Sequence, residues 1–511
     1  MWLTGLSLFS LLLIGDCFNP CVKRTVKAEH IVCVCNTTYC DDFEPLPTLL
    51  AGEAILLQST RSGKRLEQTK ISQSSTVPSD SSFTLKLSKN TEQSIMGFGG
   101  GFTDAVGINL LTIPKVMRDM IITSYYGEKG LNYVFGRVPM ASTDFSTYAY
   151  SYDDVPDDFA LKNFSLANED FIYKIPFIKQ AQDLAGDRLK LFTAPWAAPG
   201  WMKTNGNMKG AGKLIGEVNG KYYQTWTQYF IKFFEEYHKQ GIDFWATSMQ
   251  NEPSNGFIPT FQWQTMYFTA EMERDWLKGL LGPAMRGNNI TKDINILILD
   301  DQRFNVVSWS NTILDDPEAA KYASGTAVHW YEDNETPASF LTAAYKRHKD
   351  HFLIYTESCN GYLEHNAILG DWGRARNYAH SIITDFTNHV SGWVDWNLCL
   401  DLQGGPNWVG NFVDAPILID KDKVEFYKQP MYYILAHFSR YVPVGSKRTE
   451  DTVSKVHNDI EHVSFLSPEG KQILVLHNTG NENVKLTVQS SVDSFYYSFI
   501  SEKHSISTFI L

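Results

Sequence analysis

The sequence predicts an α/β chain: a TIM (β/α)8 barrel joined to an all-β sandwich. Three observations predict it. Short apolar strand candidates alternate with helix-length stretches through the middle of the chain. Alternating apolar and polar runs divided by turn residues lie on both sides of that stretch. At 511 residues, the chain is also too long for one small core and long enough for a barrel with satellites.

The strand candidates are eight: 96–100, 132–137, 189–194, 244–249, 294–299, 326–329, 352–356 and 392–396. Many end in a polar or aromatic residue, and an amphipathic pattern such as 226–238, with Tyr229, Phe230, Phe233 and Phe234 on one face, follows. A doubly wound sheet is the alternative, but no G-x-G-x-x-G follows a strand. The run Gly97-Phe98-Gly99-Gly100-Gly101 matches neither that fingerprint nor a P-loop, since no Gly-Lys-[Ser/Thr] closes it. Residues 46–92 and the tail from about 446 read as the sandwich, with strands drawn from both ends of the chain.

A 43% hydrophobic fraction excludes disorder, and 35 Gly without a three-residue period exclude collagen. A net charge of −12 gives no global field for nucleic acid.

Residues 1–17 read as a signal peptide: an apolar, uncharged run from Leu3 to Gly15 with a small-residue exit. No later segment reaches ~18 apolar residues free of charge. Cys21, Cys33, Cys35 and Cys40 crowd one stretch and are expected to form two disulfides, in any of three connectivities. A zinc knuckle is the alternative, but the spacing lacks a C-x2-C arm and a nearby paired His. Sequons at Asn36, Asn163, Asn289 and Asn334 mark expected glycosylation sites and fit an exported chain.

Barrel active sites lie at the C-terminal ends of the strands. Those positions carry Asp104, Arg137, Asp144, Trp196, Asn251, Glu252, Asp301, Gln302, His329, Trp330, Glu357 and Trp396. No His/Cys triplet for catalytic zinc and no G-x-S-x-G elbow occurs. Glu252 and Glu357 stand at the ends of the fourth and seventh strand candidates, across the barrel mouth. Two facing carboxyls are what glycoside hydrolysis needs, ~5–5.5 Å apart when configuration is retained.

Asn251-Glu252-Pro253 resembles the acid/base motif of the large retaining β-glycosidase clan. Five further stretches are similar to the glucosylceramidases (acid β-glucosidases) of glycoside hydrolase family 30. These are Val34-Cys35-Asn36-Thr37-Thr38-Tyr39-Cys40, Arg137-Val138-Pro139-Met140-Ala141-Ser142, Lys203-Thr204-Asn205-Gly206, Val328-His329-Trp330-Tyr331 and Gly404-Gly405-Pro406-Asn407-Trp408-Val409. The resemblance runs from about residue 21 to the C-terminus. It implies a small disulfide-held β-domain over 18–45 plus about 398–430. The sandwich is then 46–92 plus 446–511, and the barrel 93–397 plus about 431–445.

The resemblance further implies retaining hydrolysis of glucosylceramide, with Glu252 as acid/base and Glu357 as nucleophile, and no metal or organic cofactor. Asp144, Trp196, Asn251 and Trp396 match glucose-binding residues and Asn411 a pocket-wall residue; His329 is a candidate to orient the nucleophile, with a satisfied core histidine as the alternative. A glycolipid substrate at the membrane surface, a saposin-type activator, a lysosomal sorting receptor and anionic phospholipid are the implied partners. The implied place is the lysosome lumen, peripheral on the lumenal membrane face, or outside the cell. Loop aromatics such as Trp263, Tyr267 or Phe257 are candidates for touching lipid.

The chain departs from the family at Thr143, where relatives carry a Cys, and along 254–262, which lacks the family's Tyr. Cys399 is extra and is expected to be a buried thiol. The competing readings are a family 30 enzyme for another β-linked sugar and a non-catalytic glycolipid-binding descendant.

Overall fold

The computed structural model describes residues 18–511, so the signal-peptide reading of 1–17 lies outside the described residues. Eight parallel strands close a barrel: β1 Gly97–Gly101, β2 Phe135–Met140, β3 Lys190–Pro195, β4 Ala246–Ser248, β5 Asn295–Gln302, β6 Ala323–His329, β7 Phe352–Glu357 and β8 Val390–Asn397. Each pairs with its sequence neighbours, and β8 closes onto β1 through Gly392↔Gly97.

Seven strands contribute to one buried layer: Phe135, Phe192, Ala246, Leu297, Ala327, Ile354 and Val394 fill the barrel interior. The eighth strand, β1, is glycine-rich because β2 comes too close for side chains. A Cβ on Gly99 would meet the Phe135 carbonyl oxygen at 2.3 Å. The glycine run is thus a barrel strand shaped by contact.

Strand bounds shift where the backbone turns. The second strand starts at Phe135 rather than 132, since Asn132 takes a left-handed φ of 58° and carries the turn before it. The fourth is reduced to Ala246–Ser248. The aromatic helix spans Lys221–Lys239 and buries Tyr229, Phe230, Phe233 and Phe234 with Trp226 and Tyr237, the stripe that a 3.6-residue period requires.

Strands from both chain ends interleave in an 11-stranded sheet system. The last strand, Ser505–Ile510, runs antiparallel to Glu53–Thr60, with Ile510 opposite Ile55. Leu56, Leu85, Leu474, Leu476, Leu486 and Phe509 fill its core.

A third, five-stranded sheet joins Lys23–Lys27 and His30–Cys35 to Glu425–Lys428, Ile417–Asp420 and Cys399–Asp401. Its disulfides are Cys21–Cys33 and Cys35–Cys40. That choice among the three connectivities leaves no sulfur of the cluster free for zinc. Cys359 and Cys399 are buried and free. Asn163, Asn289 and Asn334 are exposed, while Asn36 is half-buried and caps its own turn, accepting from the Thr38 and Tyr39 amides. Among the described residues, no helix is long and apolar enough to cross a membrane.

Candidate active site

The strand ends converge on a fully buried cation. Arg137, on β2, donates through one terminal nitrogen to Glu357. Its other terminal nitrogen donates to Asn251 at 2.7 Å and to Asp300 at 3.0 Å. Asp300 also accepts from Ser248 Oγ at 2.6 Å, Thr356 Oγ1 at 2.6 Å and His329 Nε2 at 3.0 Å. Burial would raise its pKa, but Arg137 and His329 hold the carboxyl well below the usual range.

Asp300 reaches this position because β5 bulges. Leu299 and Asp300 have φ of 73° and 56°, and the register against β6 slips between Leu299 and Asp301. The strand-end reading picked Asp301. That residue instead pins the turn that follows Glu252, accepting from the Ser254 amide at 2.9 Å.

Glu357 ends β7, where Arg137 holds one oxygen and Tyr331 donates to the other at 2.6 Å. Glu252 follows β4 with a left-handed φ of 42°. Its Oε1 accepts from Gln302 Nε2 at 2.8 Å and His329 Nδ1 at 3.1 Å, and its Oε2 from Asn255 Nδ2 at 2.7 Å. An oxygen of Glu252 and an oxygen of Glu357 lie within 4.8 Å of each other.

His329 corrects an expectation. Its two hydrogen bonds go to Glu252 and Asp300, while Arg137 and Tyr331 orient Glu357. Burial would lower the pKa of His329, yet the charges of Asp300 and Glu357 raise it to about 10. Glu252, His329 and Glu357 sit closely enough to suggest a metal triad. An imidazolium donating from both nitrogens has no lone pair for a metal.

Above this floor lies a cavity of about 510 Å³. Glu252, Glu357, Asp144, Trp196, Trp396 and Asn411 line it, whereas Asn251 and His329 stand behind its wall. Trp196 and Trp396 stack with centroids 5.3 Å apart, and the Arg137 guanidinium lies 5.0 and 5.2 Å from the two rings. Asp144 accepts from Asn407 Nδ2 at 3.0 Å and Asn411 Nδ2 at 2.9 Å. Burial pushes it up to about 7 against those two donors.

Phe261, Trp263, Tyr362, Leu363 and Val413 also line the cavity, together with Glu332 and Glu335. Phe257 is exposed and packs on half-buried Tyr267. Arg303 faces away from the cavity, donating to Tyr355 and Asp385 at 2.7 and 2.9 Å. Thr143 is buried beside the pocket, its carbonyl accepting from Trp408 Nε1 at 3.0 Å. Asp300, Tyr331, Asn255 and Asn407 are site residues that strand-end reasoning missed.

The model of the glycosyl hydrolase family 30 TIM-barrel domain matches residues 95–442, and that of the family's β-sandwich domain matches 445–509. A lysosomal acid glucosylceramidase of Mus musculus is 41% identical over 496 residues, covering 96% of this chain and 95% of that one. A putative glucosylceramidase 4 of Caenorhabditis elegans is 51% identical over 464 residues, covering 90% and 88%. Among solved structures, SrfJ from Salmonella typhimurium superposes with a TM-score of 0.81 at 27% identity, over 90% of this chain and 99% of that one.

Proposed function

The chain belongs to glycosyl hydrolase family 30, and from that premise we propose that it is a retaining β-glucosidase that cleaves glucosylceramide to glucose and ceramide. One observation carries this reading. Two carboxyls within 4.8 Å of each other stand at the ends of β4 and β7 and line a pocket walled by Trp196, Trp263 and Trp396.

Glu357, aimed by Arg137 and Tyr331, attacks the anomeric carbon as an ionised carboxylate. Glu252 gives its proton to the glycosidic oxygen, so that ceramide leaves as a neutral alcohol. Esterification removes the charge of Glu357, and Glu252, now ionised, takes a proton from water. That water attacks the same carbon and releases β-glucose and the Glu357 carboxylate. Asp144 accepts from sugar hydroxyls and the tryptophans pack the ring's apolar faces, while Asn251, behind the wall, accepts from Arg137 and braces the floor.

The lysosome lumen is the proposed place of action, on the strength of the lysosomal relative, the leader-like apolar run from Leu3 to Gly15, the disulfides and the sequons. Ceramide stays in the bilayer, so the enzyme works at the lumenal membrane face, where exposed Leu363 lines the cavity and exposed Phe257 belongs to the turn after Glu252. A saposin-type activator, anionic phospholipid and a sorting receptor are its proposed partners. The test is proton NMR of glucosylceramide in mixed micelles with enzyme. β-Glucose should appear first, with ceramide in equal amount. First-formed α-glucose, or no release from any β-glucoside by folded protein, would contradict the proposal.

A further inference from the structure

We propose that Asn255 is a positioning residue for Glu252: its amide holds the oxygen that carries the transferred proton and favours the ionised carboxylate. The proposal rests on the acid/base reading of Glu252.

Glu252 Oε1 already accepts from Gln302 Nε2 at 2.8 Å and from His329 Nδ1 at 3.1 Å. His329 Nε2 lies 3.0 Å from Asp300, and the charges of Asp300 and Glu357 keep the ring an imidazolium, so both nitrogens donate. The carboxyl proton therefore belongs on Oε2. The partner of Oε2 is the Asn255 amide, at 2.7 Å.

Local geometry puts it there. Glu252 is left-handed, Pro253 follows, and a 3-10 turn over Pro253–Phe257 closes with the Asn255 amide nitrogen donating to the Glu252 carbonyl at 3.0 Å. The third residue after the glutamate is thereby folded back over its carboxylate. Both side chains line the cavity. The side-chain amide is neutral and two-faced: its NH2 donates to a carboxylate, and after rotation its oxygen accepts from a carboxylic acid. It can follow Glu252 through both half-reactions, while its donor face favours the ionised form.

The charged and titratable groups facing Glu252 are the His329 imidazolium, the carboxyls of Asp301, Glu357 and Asp144, and the Tyr331 phenol. None is altered by changing Asn255, so their contribution is common to every variant.

The test is the pH dependence of kcat/KM on an aryl β-glucoside for the wild type, Asn255→Ala and Asn255→Asp, with Glu252→Gln in parallel. Removing one donor from an ionised group should move the alkaline limb up by ~1 pH unit in the Ala variant. The Asp variant should move it further, because two carboxyls at this spacing share one proton. A merely structural role would lower all rates and leave the limb in place. Limbs that coincide, or an order other than Asn, Ala, Asp, overturn the proposal. Glu252→Gln should lose activity on poor leaving groups and regain part of it with azide. Wild-type turnover in that variant would overturn the acid/base reading itself.

Discussion

The phenol of Tyr331 donates to Oε1 of Glu357 at 2.6 Å, and Tyr331 lines the cavity only two residues beyond the end of β6. In the second half-reaction that carboxylate is the leaving group, so a donor there stabilises the charge as it returns. Tyr331→Phe should lower kcat by ~10–100-fold, matching a hydrogen bond to an ionised group of ~1.5–3 kcal/mol. The loss should fall mainly on deglycosylation. Rapid-quench kinetics should show a burst of aryl leaving group larger than that of the wild type. A variant as fast as the wild type would remove Tyr331 from the mechanism.

Asp300 neutralises two buried cations, Arg137 and His329, in a setting where all three side chains are wholly buried. Removing one partner of a buried pair leaves an uncompensated charge, at a cost of ~3–5 kcal/mol. Asp300→Ala should therefore lower stability by about that amount and abolish turnover, as read by chemical denaturation and an aryl glucoside assay. Asp301→Asn should retain the buried floor. A milder effect at Asp300 than at Asp301 would contradict the assignment of the hub.

Buried acids make the fold prefer low pH. Burial pushes Asp144 up to about 7 and Glu273 and Asp395 up to about 8. Each contributes stability that is complete below its unfolded value of ~4 and is lost as pH rises through its folded value. His329, raised to about 10, acts in the same direction. Burial lowers His437 to about 3 and His462 to about 4, and these act oppositely, but only below the unfolded histidine value of ~6.5. Above that point Lys203, which burial lowers to about 7, acts oppositely, but it is one base against three acids and His329. The thermal midpoint should fall steadily from pH 6.5 to 8.5. A rising midpoint over that interval would show that these groups do not govern stability.

Much of the fold was legible because barrel strands are short apolar runs between turns, a pattern that eight segments display. Glu252 and Glu357 were legible because both follow such runs, and Asp144, Trp196, Trp396 and Asn411 do meet on the cavity wall with them. What stayed hidden depends on single backbone angles. The bulge at Leu299 and Asp300 exchanges Asp301 for Asp300 as the floor carboxylate, and the left-handed Glu252 brings Asn255 back to its own side chain. Neither conformation is dictated by residue type, since only glycine reports a left-handed position reliably. His329 was visible as a strand-end residue, but its partner depends on which side of the barrel floor its ring faces.

The most direct test of the account is mass spectrometry after incubation with a cyclitol epoxide or aziridine of β-glucose configuration. The account predicts one cyclitol per chain, on the peptide carrying Glu357, blocked by excess glucoside and absent from Glu357→Gln. Label on the Glu252 peptide instead, or folded protein that takes none, would contradict it.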